Sequence, residues 1–277
     1  MRLIIIGYDA IGDWISYNGL IRYLLKFYNK IYLVSKTPNI SELFIDENRV
    51  EIFPGYVENK DEYDELNLMI YHEPIKHFLF TNNFFSHKNK IGKYFNVSKE
   101  YIDITPKMTE TPVQIFTDEC LKLENNSTAF YLASGLSKEI KFQYFYFKRN
   151  PEKENILFNK LNLENKIYDV ICHYEPHTIK NEYIQKLENT INLHNLSNFF
   201  DVLKVIEEAR EIHLIENSVA LFIYHLQVKN LLKENKVYLH AYSRKDKNRT
   251  AKNENDSNIF IDMLLMPKLK NWEILYE

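Results

Sequence analysis

Leu3-Ile4-Ile5-Ile6-Gly7-Tyr8-Asp9-Ala10-Ile11-Gly12-Asp13 opens the chain as an apolar strand running into a turn bracketed by two glycines. A short, isoleucine-rich run bounded by a turn signal reads as an apolar strand. The residues that follow, from about 13 to 28, place Ile15, Leu20, Ile21, Leu24 and Leu25 mostly on one broad face, as an amphipathic helix does. Far downstream the arrangement recurs. Glu211-Ile212-His213-Leu214-Ile215 runs into Glu216-Asn217-Ser218 and another apolar helix. Two strand-to-helix turns, one per half, predict an α/β chain of two nucleotide-fold domains facing a shared cleft.

Working outward, residues 30–34 and 50–53 read as the second and third strands, with a weaker strand signal at 67–71. Residues 72–103 are rich in Phe, Asn and Lys with little alternation, and read as short helices and loops. Helices are expected over 117–123, with Thr117 as N-cap, and over 128–133, ending at Gly135. Residues 140–147 alternate and are aromatic. The polar break Lys148-Arg149-Asn150-Pro151 then sets the expected domain boundary, giving domains 1–148 and 149–277. Pro151 suits the first turn of a helix running to about residue 161.

The second half alternates more cleanly. Strands are expected at 168–173, 190–193, 212–215 and 237–240, and helices at 181–187, 199–209 (with Asn198 as cap) and 218–232. This is a βαβαβ pattern with crossovers long enough for parallel pairing. Residues 244–257 are charged and Asn-rich, as in an exposed loop.

The 277 residues suffice for two domains of ordinary size. A formal charge of -3 supplies no bulk attraction for nucleic acid. The 20 Tyr and 18 Phe fit an AT-rich coding sequence, which also favours Lys, Asn and Ile, better than they fit an aromatic-lined site. Cys120 and Cys172 are far apart and neither has metal-like spacing, so a disulfide framework is unsupported and a reducing compartment is expected. The first apolar run is too short for a signal peptide, and no stretch approaches a membrane span. A soluble cytoplasmic protein is expected, with peripheral contact to a membrane surface left open.

Both common nucleotide fingerprints are absent: position 9 is Asp, so there is no G-x-G-x-x-G, and the Walker Lys-Ser/Thr is missing. Asp13 has two readings. It complements the dipole at a helix start, or it is a carboxylate at the C-terminal edge of a parallel sheet, where ligands bind. Asn217 and Ser218 also have two. They are plain caps, or they present amide, hydroxyl and backbone N–H groups to a diphosphate, with Glu216 accepting hydrogen bonds from ribose or sugar hydroxyls. His173-Tyr174-Glu175-Pro176-His177 follows a strand directly. Its spacing does not match H-E-x-x-H and a third strong ligand is missing, so a ligand-contacting loop is favoured over a metal site. The remaining histidines read as structural or surface residues. Ser134 lacks the Gly two residues earlier that a nucleophile elbow needs.

Together these features resemble the heptosyltransferase-like glycosyltransferases of the GT-B fold. The resemblance rests on four segments spread over most of the chain. The opening strand, Gly12-Asp13 and the helix with Gly19-Leu20-Ile21-Arg22-Tyr23-Leu24 look like the family's Gly-Asp start, whose Asp lies in the cleft and is assigned as catalytic base. Thr117-Asp118-Glu119-Cys120-Leu121 through Ser134-Gly135-Leu136 resembles the segment before the interdomain linker. Phe200-Asp201-Val202-Leu203 through Ala209-Arg210-Glu211 is similar to the helix before the donor-site strand. Ile215-Glu216-Asn217-Ser218-Val219-Ala220-Leu221 stands at the donor motif. The chain departs from the family at Glu216, where Asp is usual, and at Leu221, near where His is frequent. The family's basic donor loop has no clear match, Lys180 being the nearest candidate.

The resemblance implies two Rossmann-like domains and a metal-independent, inverting transfer of a sugar from a nucleotide-sugar donor to a hydroxyl of a glycan or glycolipid. No cofactor and no metal are expected. Asp13 would be the base, with Gly12, Asp9 and Trp14 on the acceptor side. Glu216, Asn217, Ser218, Lys180, Glu175 and Arg244 would face the donor. Two alternatives stay open: a nucleotide-sugar epimerase of related fold, and a non-catalytic glycan-binding protein that has kept the fold.

Overall fold

A computed structural model describes residues 2–6, 11–35, 37, 39–53, 77–80, 137, 139–243 and 269–276. The chain divides into two compact units, Met1–Tyr146 and Phe147–Glu277. The expected elements at 67–71, 117–123, 128–133 and 244–257 lie outside the described residues, as do Asp9 and Arg244.

In the first unit β1 (Arg2–Ile6), β2 (Lys30–Val34), β3 (Val50–Phe53) and β4 (His77–Phe80) form a parallel sheet in the order β3-β2-β1-β4. The first three strands stand where the apolar runs place them. β4 corrects the sequence reading, which expects only short helices and loops there. His77-Phe78-Leu79-Phe80 is a four-residue run among Lys and Asn, and its strand identity comes from pairing with β1, Leu3 opposite His77 through Ile6 opposite Phe80.

Helix α1 (Ile11–Leu24) follows β1. It ends earlier than expected, because residues 25–27 tighten into a turn that returns the Tyr28 amide to the Leu24 carbonyl (3.0 Å) and buries the Tyr28 ring. The expected single apolar face is also corrected: every residue from Trp14 to Ile21 is buried. A helix buried all round must satisfy its polar groups internally. Ser16 Oγ donates to the Gly12 carbonyl (3.2 Å), and Asn18 Nδ2 donates to the Leu43 carbonyl (3.1 Å). Asn18 Oδ1 accepts from Arg22 Nε (3.2 Å) and the Tyr146 amide (3.1 Å). The alternation at 140–147 does not make a strand. It begins as a one-turn helix, α2 (Ile140–Gln143), laid against α1 at Gly19.

The second unit opens with α3 (Pro151–Lys160), capped by the Asn150 side chain on the Lys153 amide (3.1 Å). A parallel sheet follows, made of β5 (Val170–Cys172), β6 (Ile191–Asn192), β7 (Glu211–Ile215), β8 (Lys236–His240) and β9 (Trp272–Leu275), in the order β6-β5-β7-β8-β9. The connecting helices are α4 (Asn181–Ile184), α5 (Leu203–Glu207) and α6 (Ser218–Val228). The expected helix at 199–209 is two pieces, a 3-10 turn at Phe199–Asp201 followed by α5. Asn198 caps the first piece, accepting from the Phe200 amide (3.1 Å).

α6 stops short of the expected 232 for a local reason. Asn230 adopts a left-handed backbone (φ 53°), the Asn230 amide returns to the Gln227 carbonyl (3.0 Å), and the Leu231 amide returns to the Leu226 carbonyl (2.8 Å). That is the paired closure a Gly usually makes at a helix end, here made by Asn. The same closure ends α3 at Asn162. With six glycines in the whole chain, every described non-Gly residue at positive φ is an Asn.

The core of this unit is aromatic between α6, the 3-10 turn and the first residue of the unit. Phe147 stacks on Phe200 (5.5 Å) and meets Phe222 edge-on (4.9 Å). β9, a Trp-Glu-Ile-Leu run too short to stand out in the sequence, is tied to α6 by Gln227. That side chain accepts from Trp272 Nε1 (2.6 Å) and Asn271 Nδ2 (3.1 Å) and donates to the Lys233 carbonyl (2.9 Å).

Candidate functional site

In each sheet the chain reverses its direction of growth at one place. In the first unit β1 leads to β2 and β3 on one side, and β4 returns to the other side of β1. In the second, β5 leads to β6 on one side, and β7 returns to the other. In open parallel sheets such reversal points leave a crevice outside the carboxyl ends of the strands, where ligands bind. The start of α1 and the residues that follow β5 and β7 come after the carboxyl ends of those strands.

After β1 comes the start of α1. Asp13 sits in its first turn, half-buried, where a carboxylate complements the helix dipole. Gly12 precedes it and its carbonyl accepts from Ser16. Trp14 takes no surface position. It is fully buried, edge-on to Tyr17 (5.9 Å), and belongs to the packed core.

After β7 come Glu216, Asn217 and Ser218. Glu216 is 3% exposed, so the carboxylate is largely withdrawn from the surface. The Asn217 side chain is committed within the protein: Oδ1 accepts from the Val219 and Ala220 amides (both 3.0 Å) and Nδ2 donates to Cys172 Sγ (3.2 Å). Of its two readings, the structure realises the cap. Burial pushes the Cys172 thiol up to about 11 against the pull of that amide, so the sulfur is a neutral packing group. Ser218, half-buried, is the first residue of α6.

After β5 the loop from His173 to Lys180 folds back on itself. The Tyr174 amide donates to the His177 carbonyl (3.0 Å), and the Ile179 amide donates to His173 Nδ1 (3.3 Å). Tyr174 stacks on His194 (4.8 Å) and meets His177 edge-on (5.4 Å). Ile179 anchors the loop in an apolar cluster with Ile171 and Ile215, at the ends of β5 and β7. Burial holds the His173 ring below its ordinary value, against the Glu175 carboxylate, which favours the charged form. Glu175 and Lys180 are exposed. Among the described residues no group of three or more His, Cys, Asp or Glu side chains is placed to hold a metal ion. Likewise no described helix is long and apolar enough to cross a membrane.

Behind this edge lies a set of buried residues whose histidines the sequence places only as structural or surface residues. His213 on β7 and His240 at the end of β8 lie diagonally on one face of the sheet, His213 opposite Tyr238 and Ile215 opposite His240. His213 Nδ1 is 2.9 Å from His240 Nε2, and His240 Nδ1 is 2.8 Å from the Tyr242 hydroxyl. That hydroxyl accepts from the Lys180 amide (3.2 Å), and the Lys180 ammonium lies over the Tyr242 ring (4.5 Å). No alternation of residue types announces the pair: His213 alternates with Glu211 and Ile215, and His240 with Lys236 and Tyr238.

No family model and no curated protein matches the sequence. Solved structures do match the fold. The crystal structure of a family 9 glycosyl transferase from Veillonella parvula DSM 2008 superposes with a TM-score of 0.58, at 8% identity, over 100% of this chain and 86% of that one. An E. coli ADP-heptose lps heptosyltransferase II superposes with a TM-score of 0.57, at 10% identity, over 99% of this chain and 90% of that one. Identities this low establish architecture, and the chain therefore has the α/β fold of the heptosyltransferase-like glycosyltransferases that its sequence pattern resembles.

Proposed function

We propose that this chain is a glycosyltransferase that moves a sugar from a nucleotide-sugar donor to a hydroxyl of a glycan or glycolipid acceptor, without a metal and with inversion at the sugar carbon. The observation that carries the reading is positional. A carboxylate, Asp13, follows the strand at the reversal point of the first sheet, and a capped helix start with a lysine-bearing loop follows the strands at the reversal point of the second. Residues 1–148 would take the acceptor and residues 149–277 the donor.

Asp13 removes the proton from the acceptor hydroxyl as its oxygen attacks the sugar carbon, which is general-base work suited to a carboxylate. The bond to the diphosphate breaks, and the leaving group carries away negative charge. The amide dipoles at the start of α6, the Ser218 hydroxyl and the Lys180 ammonium meet that charge. Asn217 serves this arrangement by holding the helix start in shape. Glu175 and Arg244 would border the donor. The E. coli neighbour is an ADP-heptose heptosyltransferase, which makes an ADP-linked sugar the first donor to try.

The test is a thermal-shift panel of ADP, UDP, GDP and their sugar conjugates. A true donor at a hundred times its dissociation constant adds about 2.7 kcal/mol of stability, and absence of any shift across the panel overturns the reading. Transfer assayed with EDTA should proceed unchanged. Activity lost to the chelator and restored by magnesium or manganese overturns the metal-free mechanism.

A further inference from the structure

Tyr242 holds Lys180 in two ways at once. Its hydroxyl accepts from the Lys180 backbone amide at 3.2 Å, and its ring lies 4.5 Å beneath the Lys180 ammonium. Lys180 is the last residue of the loop after β5 and immediately precedes the one-turn helix α4. Such a helix has little stability of its own, so the direction of the lysine depends on what its backbone is tied to.

The Tyr242 hydroxyl is itself fixed from behind. Its proton faces a buried acceptor, His240 Nδ1 at 2.8 Å. His240 Nε2–H then donates to His213 Nδ1 at 2.9 Å, which leaves the proton of His213 on Nε2, facing the Glu211 carboxylate at 3.6 Å. The reverse arrangement would aim a nitrogen lone pair at that carboxylate, so Glu211 selects the direction of the whole chain. Both imidazoles are buried, 4% and 0% exposed, and both are held between rings: His213 stacks on Tyr238 (4.6 Å), and His240 meets Tyr183 edge-on (5.0 Å). A buried network with one consistent direction has little freedom to rearrange.

We propose that Tyr242, locked by His240 and His213, is a positioning residue that presents the Lys180 ammonium to a diphosphate bound beyond the carboxyl ends of β5 and β7. The proposal rests on the reading of this edge as the nucleotide-sugar site and names the residues that give that site its cation. Burial keeps the Tyr242 phenol protonated, pushed up to about 12, and keeps His240 neutral, as the donor and acceptor roles require. Tyr242 acts through the lysine and touches no substrate in this scheme.

The test is a double-mutant cycle read by titration with ADP and with inorganic pyrophosphate, using the full chain. Tyr242→Phe keeps the ring and removes the hydroxyl. Lys180→Ala removes the ammonium and keeps the amide. In the Lys180 background intact, Tyr242→Phe should weaken both probes by roughly three- to tenfold, the worth of one hydrogen bond. In the Lys180→Ala background the same change should cost nothing. An equal loss in both backgrounds overturns the positioning role. Hydrogen exchange at the Lys180 amide, measured without ligand, provides the independent readout: its protection should fall in Tyr242→Phe, and unchanged protection also overturns the proposal. If the wild-type chain binds neither probe, the nucleotide-sugar reading fails and the diphosphate role fails with it. Loss of protection alone would then show a tether for the loop without that ligand.

Discussion

His213 Nδ1 lies 2.9 Å from His240 Nε2 across β7 and β8, a distance that leaves room for one proton between two buried rings. Burial holds His240 down to about 3, with the neighbouring His213 and His173 rings acting in the same direction. His213 is also held below its ordinary value by burial, opposed by Glu211 and Asp169 and aided by Lys236. The unfolded chain takes up these protons near 6.5, whereas the folded chain refuses them. The stabilisation is therefore complete above about pH 6.5 and is lost as pH falls from there toward about 3, at roughly 1.4 kcal/mol per pH unit for His240 alone. Urea unfolding should show the protein about 2 kcal/mol less stable at about pH 5 than at about pH 7. The difference should shrink in His240→Gln.

Arg149 joins the first helix of the second unit to α5. It reaches Glu154 (Nη2 to Oε2, 2.5 Å) and Glu207 (Nη1 to Oε1, 2.6 Å), and Glu154 is 2% exposed. Burial alone would raise the Glu207 carboxyl, yet hydrogen bonds and charge from Arg149 bring it below its ordinary value. Arg149→Met should destabilise the unit by about 3 kcal/mol, because Glu154 is left as a buried charge. Adding Glu154→Gln should restore part of the loss. Denaturant midpoints of the single and double variants decide this.

Gly19 is where α1 and α2 meet. A Cβ there would stand 2.3 Å from the Lys141 carbonyl oxygen and 2.9 Å from that of Ile140, both backbone atoms. In an exposed helix Gly→Ala gains about 1 kcal/mol. Here overpacking should reverse the sign, and Gly19→Ala should cost about 1–3 kcal/mol, measured as a drop in melting temperature.

Asn217 and Ser218 should separate. Asn217→Ala exposes two helix-start amides, so it should lower stability by about 1–2 kcal/mol. Ser218→Ala should leave stability within about 0.5 kcal/mol while weakening nucleotide-sugar binding. Isothermal titration beside thermal melts of the two variants checks the division. Equal affinity of Ser218→Ala and wild type would remove Ser218 from the donor site.

Asp13→Asn keeps the size of the side chain and cannot accept a proton as a base. Turnover should fall by about 10²–10⁴-fold. Donor affinity should be little changed, since the donor is assigned to the other unit. Stability should fall by about 0.3–1 kcal/mol, the worth of a charge at a helix start. Single-turnover kinetics with donor saturating is the measurement. Wild-type turnover would leave Asp13 as a helix-dipole residue and the proposed mechanism without a base.

Seven of the nine described strands stand where runs of β-branched and apolar residues place them. β4 and β9 escaped. His-Phe-Leu-Phe and Trp-Glu-Ile-Leu are too short and mixed to announce themselves, and each is a strand because a neighbour supplies its hydrogen bonds. Helix starts at Asn198 and Asn217 are legible as caps, since capping chemistry is local, whereas the cap at Asn150 is seen only in the structure. Helix ends were less so: at Asn162 and Asn230 the left-handed residue is Asn where the eye looks for Gly.

Thus the sequence by itself determined the alternation of strands and helices, the caps, and the candidate turns at Asp13, Lys180 and Glu216 to Ser218, all set by propensities within a few residues. Only the tertiary structure decided the strand orders β3-β2-β1-β4 and β6-β5-β7-β8-β9, and with them the reversal points beside β1 and between β5 and β7. It also decided that Trp14 is core and that Asn217 is a cap bonded to Cys172. The line from His213 through His240 and Tyr242 to Lys180 belongs to the same class, because residues far apart in the chain meet only when parallel pairing sets the register of β7 against β8. Register follows from which strands pair and how their apolar patterns meet, so it cannot be read from either strand alone.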